Sequence, residues 1–230
     1  MMSEIELSSK PKSTDYRFLC YGAEEAKDFK DRENYEEMIE AFQEMGFSRE
    51  TVIKIFGIIS AILHSGNVDF TEIDEGEACV VNTTAPDSIY SFQVMSKLLG
   101  IDQSLLSMAL TTRTFQSGGM RKSITTVKLN KQKTYETRDS LARNLYDNIF
   151  SFIIKQINEN SQQSLSSSSS SSSRKHRLIG LLDIFGFEIF EHNSFEQLCI
   201  NYCNEMLQNH FNFVIFITET KLYEEENIYS

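Results

Sequence analysis

Residues 181–208, LLDIFGFEIFEHNSFEQLCINYCNEMLQ, form the stretch that decides the fold of this chain. The apolar run at 178–184 is short and continuous, which is typical of a strand buried on both faces. Asp183 lies near the carboxyl end of that strand, where open α/β sheets bind their ligands. Gly186 can bring its backbone N–H close to a ligand, and Glu188 adds a second carboxylate. The stretch therefore predicts a buried strand followed by a ligand-sensing loop.

An amphipathic helix is predicted directly after this loop. Asn193 with Glu196, or Ser194 with Gln197, has the spacing of a capping box, and either register fits. Apolar positions then recur at helical spacing and predict a buried stripe: Phe195, Leu198, Cys199, Tyr202, Cys203, Met206, Leu207, His210 and Phe211. A loop that senses a phosphate and a rigid helix that leaves it have the organisation of a conformational switch.

Composition limits the class of protein. The chain has 230 residues, 40% of them hydrophobic and 24% charged, which is usual for one or two globular domains. The polar start MMSEIELSSKPKSTD and the absence of a long apolar run predict neither a signal peptide nor a membrane-spanning helix, which favours the cytosol. The net charge of −11 argues against general nucleic-acid binding.

The cysteines form no spaced disulfide framework, so Cys20, Cys79, Cys199 and Cys203 are expected to be reduced thiols. Cys199, Cys203 and His210 share one face of the predicted helix, and zinc is one interpretation of them. A structural zinc site needs four ligands, so a cysteine-lined core stripe is the favoured interpretation.

The charge is unevenly spread along the chain. Residues 113–138 carry seven basic residues and a single acidic one, Glu136. A basic tract on an acidic chain predicts a local acidic partner, and a solvated loop and helix face is the alternative.

Four regions are expected along the sequence: a disordered leader at 1–15, a mainly helical part at 16–159, a flexible serine-rich loop at 160–176, and the strand, loop and helix at 177–230. Helices are predicted at about 23–30, 34–45, 52–64, 86–99, 102–110 and 131–158. Residues 67–81 predict two short strands or an irregular hairpin, and residues 111–130 predict a turn and an extended arm.

The motifs at 183–228 resemble those of the myosin motor head. DIFGFE at 183–188 followed by NSFEQLCINYCNEMLQ at 193–208 is similar to the switch II loop and relay helix of that family, and KLYEEENI at 221–228 continues the match. Further upstream, MIEAFQEMGFSRETVIKIFGIISAILHSGNVDF, LTTRTFQSGGMRKSITTVKLN and NLYDNIFSFIIKQIN resemble the upper part of the head, its actin-facing loop and its long helix. The resemblance covers about residues 16–226, and it departs at FVIFITET, residues 213–220.

The resemblance implies an α/β P-loop NTPase-type fold, represented here by a predominantly α-helical part with one core strand at about 178–184 and short extended segments. It implies that Asp183 binds magnesium through water, that Gly186 donates its N–H to the γ-phosphate of ATP, and that Glu188 pairs with an arginine and positions the attacking water. Phe187, Asn193, Ser194 and Phe195 would belong to the relay. Arg121, Lys122 and Lys128 would contact actin.

The implied function is that of part of an actin-activated Mg-ATPase in the cytoplasm and cytoskeleton. The implied partners are the actin filament and the rest of the motor head, with no nucleic acid and no membrane. No glycine precedes a lysine in the chain, so a phosphate loop is absent from it, and the isolated chain is expected not to be catalytic. The alternative is a non-motor helical interaction protein that reuses the scaffold, or an inactive truncated product.

Overall fold

The computed structural model describes residues 5–7, 15–20, 30–116, 124–167, 180, 184 and 186–228. The chain divides into two compact units, Met1–Ser170 and Ser171–Ser230, called unit 1 and unit 2 below. The division falls inside the serine-rich segment of the sequence.

Unit 1 is mainly helical. Its helices are α1 (Asp31–Glu44), α2 (Arg49–Asn67), α3 (Pro86–Leu99), α4 (Gln103–Thr111) and α5 (Lys131–Ser167). Two antiparallel two-stranded sheets complete the described part of this unit. The first pairs β1 (Phe70–Ile73) with β2 (Ala78–Val81), and the second pairs β3 (Thr112–Gln116) with β4 (Ile124–Lys128).

Local signals fix where these helices begin and end. The Ser48 hydroxyl accepts a hydrogen bond from the Thr51 N–H at 3.1 Å and caps α2. Pro86 occupies the first turn of α3, where its missing N–H costs nothing, and Gly100 ends that helix with φ +66°. The Asp102 carboxylate accepts from the Ser104 N–H at 2.8 Å and caps α4. These ends agree closely with the sequence predictions.

The core of unit 1 consists of two clusters that share α2. The larger cluster joins α2, α3, α4 and the β1–β2 sheet through Ala61, Val68, Phe70, Cys79, Val81, Phe92, Met95, Leu106 and Leu110. The smaller joins the first half of α2 to α5 through Phe47, Val52, Ile55 and Ile149. Because the second half of α2 supplies the larger cluster and its first half the smaller one, α2 is the central helix of the unit.

Arg138 is a buried cation between α5 and the end of α2. Its side chain is only 2% exposed, and its Nη1 donates to the carbonyl oxygens of Gly66 at 3.3 Å and Val68 at 3.0 Å. The Asp139 carboxylate lies 2.6 Å from its Nη2. The guanidinium also lies over the rings of Tyr135 and Phe18, at 4.8 and 5.8 Å from their centroids. Arg138 therefore belongs to the core, although it is part of the basic tract in the sequence.

The described residues of the expected leader pack against unit 1. Ile5 is 4% exposed, and the Glu6 carboxylate forms an ion pair with Lys97 of α3. Farther along, the Asn67 amide accepts from the Arg17 N–H at 2.9 Å and donates to the Asp15 carbonyl at 2.7 Å. The interpretation of 1–15 as wholly disordered is thus wrong for these residues, because apolar and hydrogen-bonded contacts hold them.

Three other expectations differ from the structure or lie outside it. Helix α5 continues through Ser167, so the first residues of the expected 160–176 loop are helical. The helix predicted at 23–30 falls outside the described residues except for Lys30, which is not helical. Of the core strand expected at about 178–184, only Gly180 and Ile184 are described, so that strand lies outside the described part.

Unit 2 is built on a long helical segment. Helix α6 (Phe195–Asn212) is followed by a π-helical stretch, Phe213–Thr218, and by α7 (Glu219–Glu225). The apolar FVIFIT sequence at 213–218 is therefore helical in this unit. Among the described helices, none combines the length and the apolar character needed to span a membrane.

Replacement of Arg138 by methionine is expected to lower the free energy of unfolding by about 3 kcal/mol. The change leaves the Gly66 and Val68 carbonyls without their donor and Asp139 without its partner, and the loss of one member of a buried ionic network costs a few kcal/mol. Urea denaturation followed by circular dichroism measures it. Arg143→Met, at an exposed position of the same helix, is the control and should change stability by less than about 0.5 kcal/mol. Equal midpoints for the two variants would contradict the role of Arg138.

Candidate functional site

Residues 186–188 lie along the amide-bearing face of α6. The Glu188 N–H donates to the Asn201 Oδ1 at 2.8 Å, and the Asn201 Nδ2 donates to the Glu188 carbonyl at 2.8 Å. One turn farther along the helix, the Asn204 Nδ2 donates to the Gly186 carbonyl at 3.3 Å. Both backbone groups of Glu188 are therefore fixed to α6 by a single side chain.

Gln197 connects the carboxylate of Glu188 to the start of α6. Its Nε2 donates to the Glu188 Oε2 at 3.2 Å, while its Oε1 accepts from the Ser194 N–H at 2.9 Å. The single Ser194 hydroxyl proton is shared between this Oε1, at 2.7 Å, and the Glu196 Oε2. Half-buried Glu188 and the N-cap of α6 thus share one hydrogen-bonded network.

The start of α6 shows which of the two predicted capping registers is used. Ser194 is the N-cap and pairs with Gln197. Asn193 instead closes the preceding turn, since its side chain accepts from the Phe190 N–H at 3.0 Å and donates to the Phe190 carbonyl at 2.8 Å. The Ser194 hydroxyl and the backbone N–H of Glu196 lower the pKa of the exposed Glu196 carboxyl. The stability that the Glu196 cap interaction contributes is therefore complete above the ordinary glutamate pKa and is lost as the pH falls through the lowered pKa.

The space beside the Cα of Gly186 is open. A Cβ built on Gly186 would meet no heavy atom of the described residues within 4 Å, and the residue is exposed. A glycine with such space can approach a ligand with its backbone. Asp183, the expected magnesium-binding residue, lies outside the described residues.

The apolar stripe of α6, expected to be buried, is exposed. Phe195 is 74% exposed, and Tyr202 and Met206 are also exposed. Phe187, in the loop, is 57% exposed. The stripe was predicted to pack because of its spacing, but in this unit residues 186–188 occupy the amide face instead of the apolar one.

The zinc alternative gains no support from the described residues. Cys199 and Cys203 are free and exposed, and no group of three histidine, cysteine, aspartate or glutamate side chains in the described ranges could hold a metal ion.

The second candidate surface is the β3–β4 hairpin. Lys128, at the end of β4, forms an ion pair with Asp74 at 2.8 Å, and both side chains are exposed. Arg121 and Lys122 lie outside the described residues. On the described strands, Arg113 is exposed and lies 4.9 Å over the ring of Phe115. The basic tract therefore retains exposed cations on this hairpin.

The residues that hold the loop were not among those predicted from the sequence. Asn201 and Asn204 carry no charge and interrupt no apolar stripe, so the hydrophobic pattern does not select them. A different signal was present, because uncharged amides recur at helical spacing along one face: Gln197, Asn201, Asn204 and Gln208. Such a row offers both donors and acceptors to a neighbouring backbone.

Comparisons with known proteins give a consistent result. The sequence model of one protein family, described as myosin head (motor domain), matches residues 2–230. Myosin-1 of Vanderwaltozyma polyspora is 40% identical over 211 residues, covering 91% of this chain and 16% of the relative. Unconventional myosin-VI of Mus musculus is 36% identical over 86% of this chain and 15% of the relative. Unconventional myosin IC of Drosophila melanogaster is 38% identical over 86% of this chain and 18% of the relative. The chain thus spans less than a fifth of the length of these relatives.

Replacement of Asn201 by alanine is expected to speed hydrogen exchange of the Glu188 amide about thirty-fold. Two hydrogen bonds of about 1 kcal/mol each are lost, whereas alanine itself favours the helix. Exchange measured by mass spectrometry on peptides that cover 186–193 would detect the change. Asn209→Ala, at an exposed position of α6, is the matched control and should leave those peptides unaffected. Unchanged exchange in Asn201→Ala would show that the amide does not hold the loop.

Proposed function

Because the chain belongs to the myosin head (motor domain) family, we propose that it forms the part of an actin-based motor that senses phosphate and moves a helix. Residues 183–188 act as the switch II loop, and α6 acts as the relay helix that leaves it. The fold of which they are a part is the α/β P-loop NTPase-type myosin head, and the protein acts in the cytoplasm on the cytoskeleton.

The observation that carries the proposal is the hydrogen-bonded connection between the loop and α6. Asn201 binds both backbone groups of Glu188, and Gln197 binds its carboxylate. A displacement of Glu188 therefore pulls on two side chains of the first two turns of α6. Since a helix is stiff along its axis, a shift at the loop is transmitted to the far end rather than absorbed locally.

The loop residues fit Mg·ATP, the group that the family implies. Gly186 has open space in front of it and can offer its N–H to the terminal phosphate. Glu188, held by Gln197, would position the attacking water and pair with an arginine from the rest of the head. Asp183 would hold the magnesium ion. Bound Mg·ATP supplies the phosphoanhydride bond whose hydrolysis drives the motor.

The β3–β4 hairpin is proposed to contact the actin filament. Arg121 and Lys122 lie between its strands in sequence, and Lys128 lies at its base. Lys128 already has Asp74 beside it, so its contribution to an outside partner is smaller than that of an unpaired lysine. Exposed cations on an acidic chain give weak, salt-sensitive binding to an acidic surface.

Neutralising the hairpin should weaken binding to actin. In cosedimentation at about 50 mM salt, the variant Arg121→Gln, Lys122→Gln, Lys128→Gln is expected to bind filamentous actin about ten-fold more weakly than the unaltered chain. Each exposed ionic contact contributes roughly 0.5 kcal/mol, and the three together approach the 1.4 kcal/mol of a ten-fold change. The unaltered chain should also lose binding as salt rises.

A charge-matched control separates a local contact from a general effect of net charge. Lys54→Gln, Arg143→Gln and Lys155→Gln remove the same three charges from exposed positions of α2 and α5. This control should bind actin like the unaltered chain. Equal binding by all three proteins would exclude the hairpin as the actin-contacting surface.

The purified chain is expected to hydrolyse Mg·ATP no faster than a buffer blank. No glycine in it precedes a lysine, and phosphoryl transfer in this fold depends on a Gly-Lys phosphate loop that cradles the β- and γ-phosphates. A phosphate-release assay is the measurement. Turnover that is robust in the unaltered chain and lost in Glu188→Ala would overturn this expectation.

A further inference from the structure

His64 lies where two N-terminal segments, residues 5–7 and 15–20, meet α2 and α3. Its side chain is 4% exposed, although it is close to the end of α2. Its Nε2 lies 3.3 Å from the Glu6 carbonyl oxygen, and its Nδ1 lies 3.4 Å from the Ser91 hydroxyl. The rings of Tyr16 and Tyr90 pack edge-on around it, with centroids at 5.4 and 5.8 Å. One imidazole thus contacts both N-terminal segments and α3.

The chemistry of these partners fixes the protonation of the ring. A carbonyl oxygen can only accept, so the Nε2 carries the hydrogen that is donated to Glu6. The Nδ1 is then an acceptor for the Ser91 hydroxyl. Both nitrogen atoms of the neutral ring are therefore hydrogen-bonded, the Nε2 as a donor and the Nδ1 as an acceptor. If the ring took up a second proton, at the Nδ1, that nitrogen would become a donor. The Ser91 hydroxyl could then no longer donate to it and would have to rotate to accept instead.

Several charged groups face this place from the surrounding elements. His64 lines a cavity of about 490 Å³ together with Asp15 and Arg17 of the N-terminal segment, Asp69 beside β1, and Asp87 and Tyr90 of α3. The Glu6 carboxylate is paired with Lys97, and Asp69 accepts from the Tyr135 hydroxyl. Burial lowers the pKa of the His64 imidazole, and the carbonyl and charge of Glu6 oppose that effect only in part. Desolvation therefore outweighs the effect of Glu6.

We propose that His64 is a pH-sensitive latch, which in its neutral form holds the N-terminal segments against α2 and α3 and releases them when it is protonated. Release would expose Ile5 and Tyr16, which are buried in the closed form. The latch uses none of the loop, α6 or hairpin residues on which the proposed motor function rests.

The direction of the pH effect follows from linkage. A buried histidine with a lowered pKa binds fewer protons in the closed form than in the open form. The closed form therefore has its full stability above the ordinary histidine pKa of about 6.5 and loses it as the pH falls below that value. Below that value, the ratio of closed to open form falls by up to about ten-fold for each pH unit. The fall stops once the pH is below the pKa of the closed form.

Hydrogen exchange of the 15–20 segment tests the latch in the whole chain. The Arg17 N–H donates to Asn67 at the end of α2, so this amide reports closure directly. The Leu19 N–H donates to the Tyr16 carbonyl within the segment, so it reports whether the segment itself stays ordered. After correction for intrinsic exchange rates, protection of the Arg17 amide should fall by about ten-fold between pH 7.5 and pH 5.5. Protection that stays constant over this range would overturn the proposal.

Two variants assign the effect to His64. In His64→Gln the amide can donate to Glu6 and accept from Ser91 at every pH, so the segment should stay protected at pH 5.5. His210→Gln, at an exposed histidine of α6, should behave like the unaltered chain. A loss of protection in His64→Gln as large as in the unaltered chain would reject the latch. If His64→Gln is unstable, NMR titration decides: the His64 ring and the Arg17 amide must share one midpoint, and separate midpoints would reject the latch equally.

Discussion

The fold of unit 1 depends on a guanidinium that has been taken out of water. Arg138 faces the carbonyl oxygens at the end of α2, where the helix carries its partial negative charge, and two aromatic rings cover it. A buried cation that loses its acceptors is far less stable than one in water. The end of α2, the start of β1, the first turns of α5 and the 15–20 segment are consequently held at one point. The two apolar clusters on either side then form around a fixed α2.

Asparagine side chains perform the same task in both units. Asn67 binds the backbone of Asp15 and Arg17, and Asn201 binds the backbone of Glu188. A carboxamide presents one acceptor and two donors in a plane, so it can replace the neighbouring strand that an extended segment would otherwise need. Irregular backbone is thereby attached to a helix without a sheet. In unit 2 this attaches the backbone of Glu188 to α6.

Much of unit 1 could be predicted because its signals are local. Ser48, Asp102 and the pair Pro86 and Gly100 fix helix ends through groups within a few residues, and the apolar spacing of α2 selects its buried face. The family followed from the order of motifs rather than from periodicity. The candidate site was only partly predictable, because the hydrogen bonds of Asn201 join residues 13 positions apart and leave no periodic trace. The exposure of the α6 stripe and the burial of Ile5 likewise depend on contacts between distant segments. The spacing of apolar residues does not predict such contacts.

The π-helical stretch between α6 and α7 changes the direction in which side chains point along the long helical segment of unit 2. In Phe213–Thr218 each hydrogen bond encloses one residue more than in an α-helix, and the Thr218 hydroxyl reaches back five residues to the Phe213 carbonyl at 3.4 Å. One additional residue corresponds to about 100° around a helix of 3.6 residues per turn. The side chains of α7 therefore point in directions that a straight continuation of α6 would not give. Conversion of this stretch to α-helical pairing would turn α7 about the helix axis relative to α6.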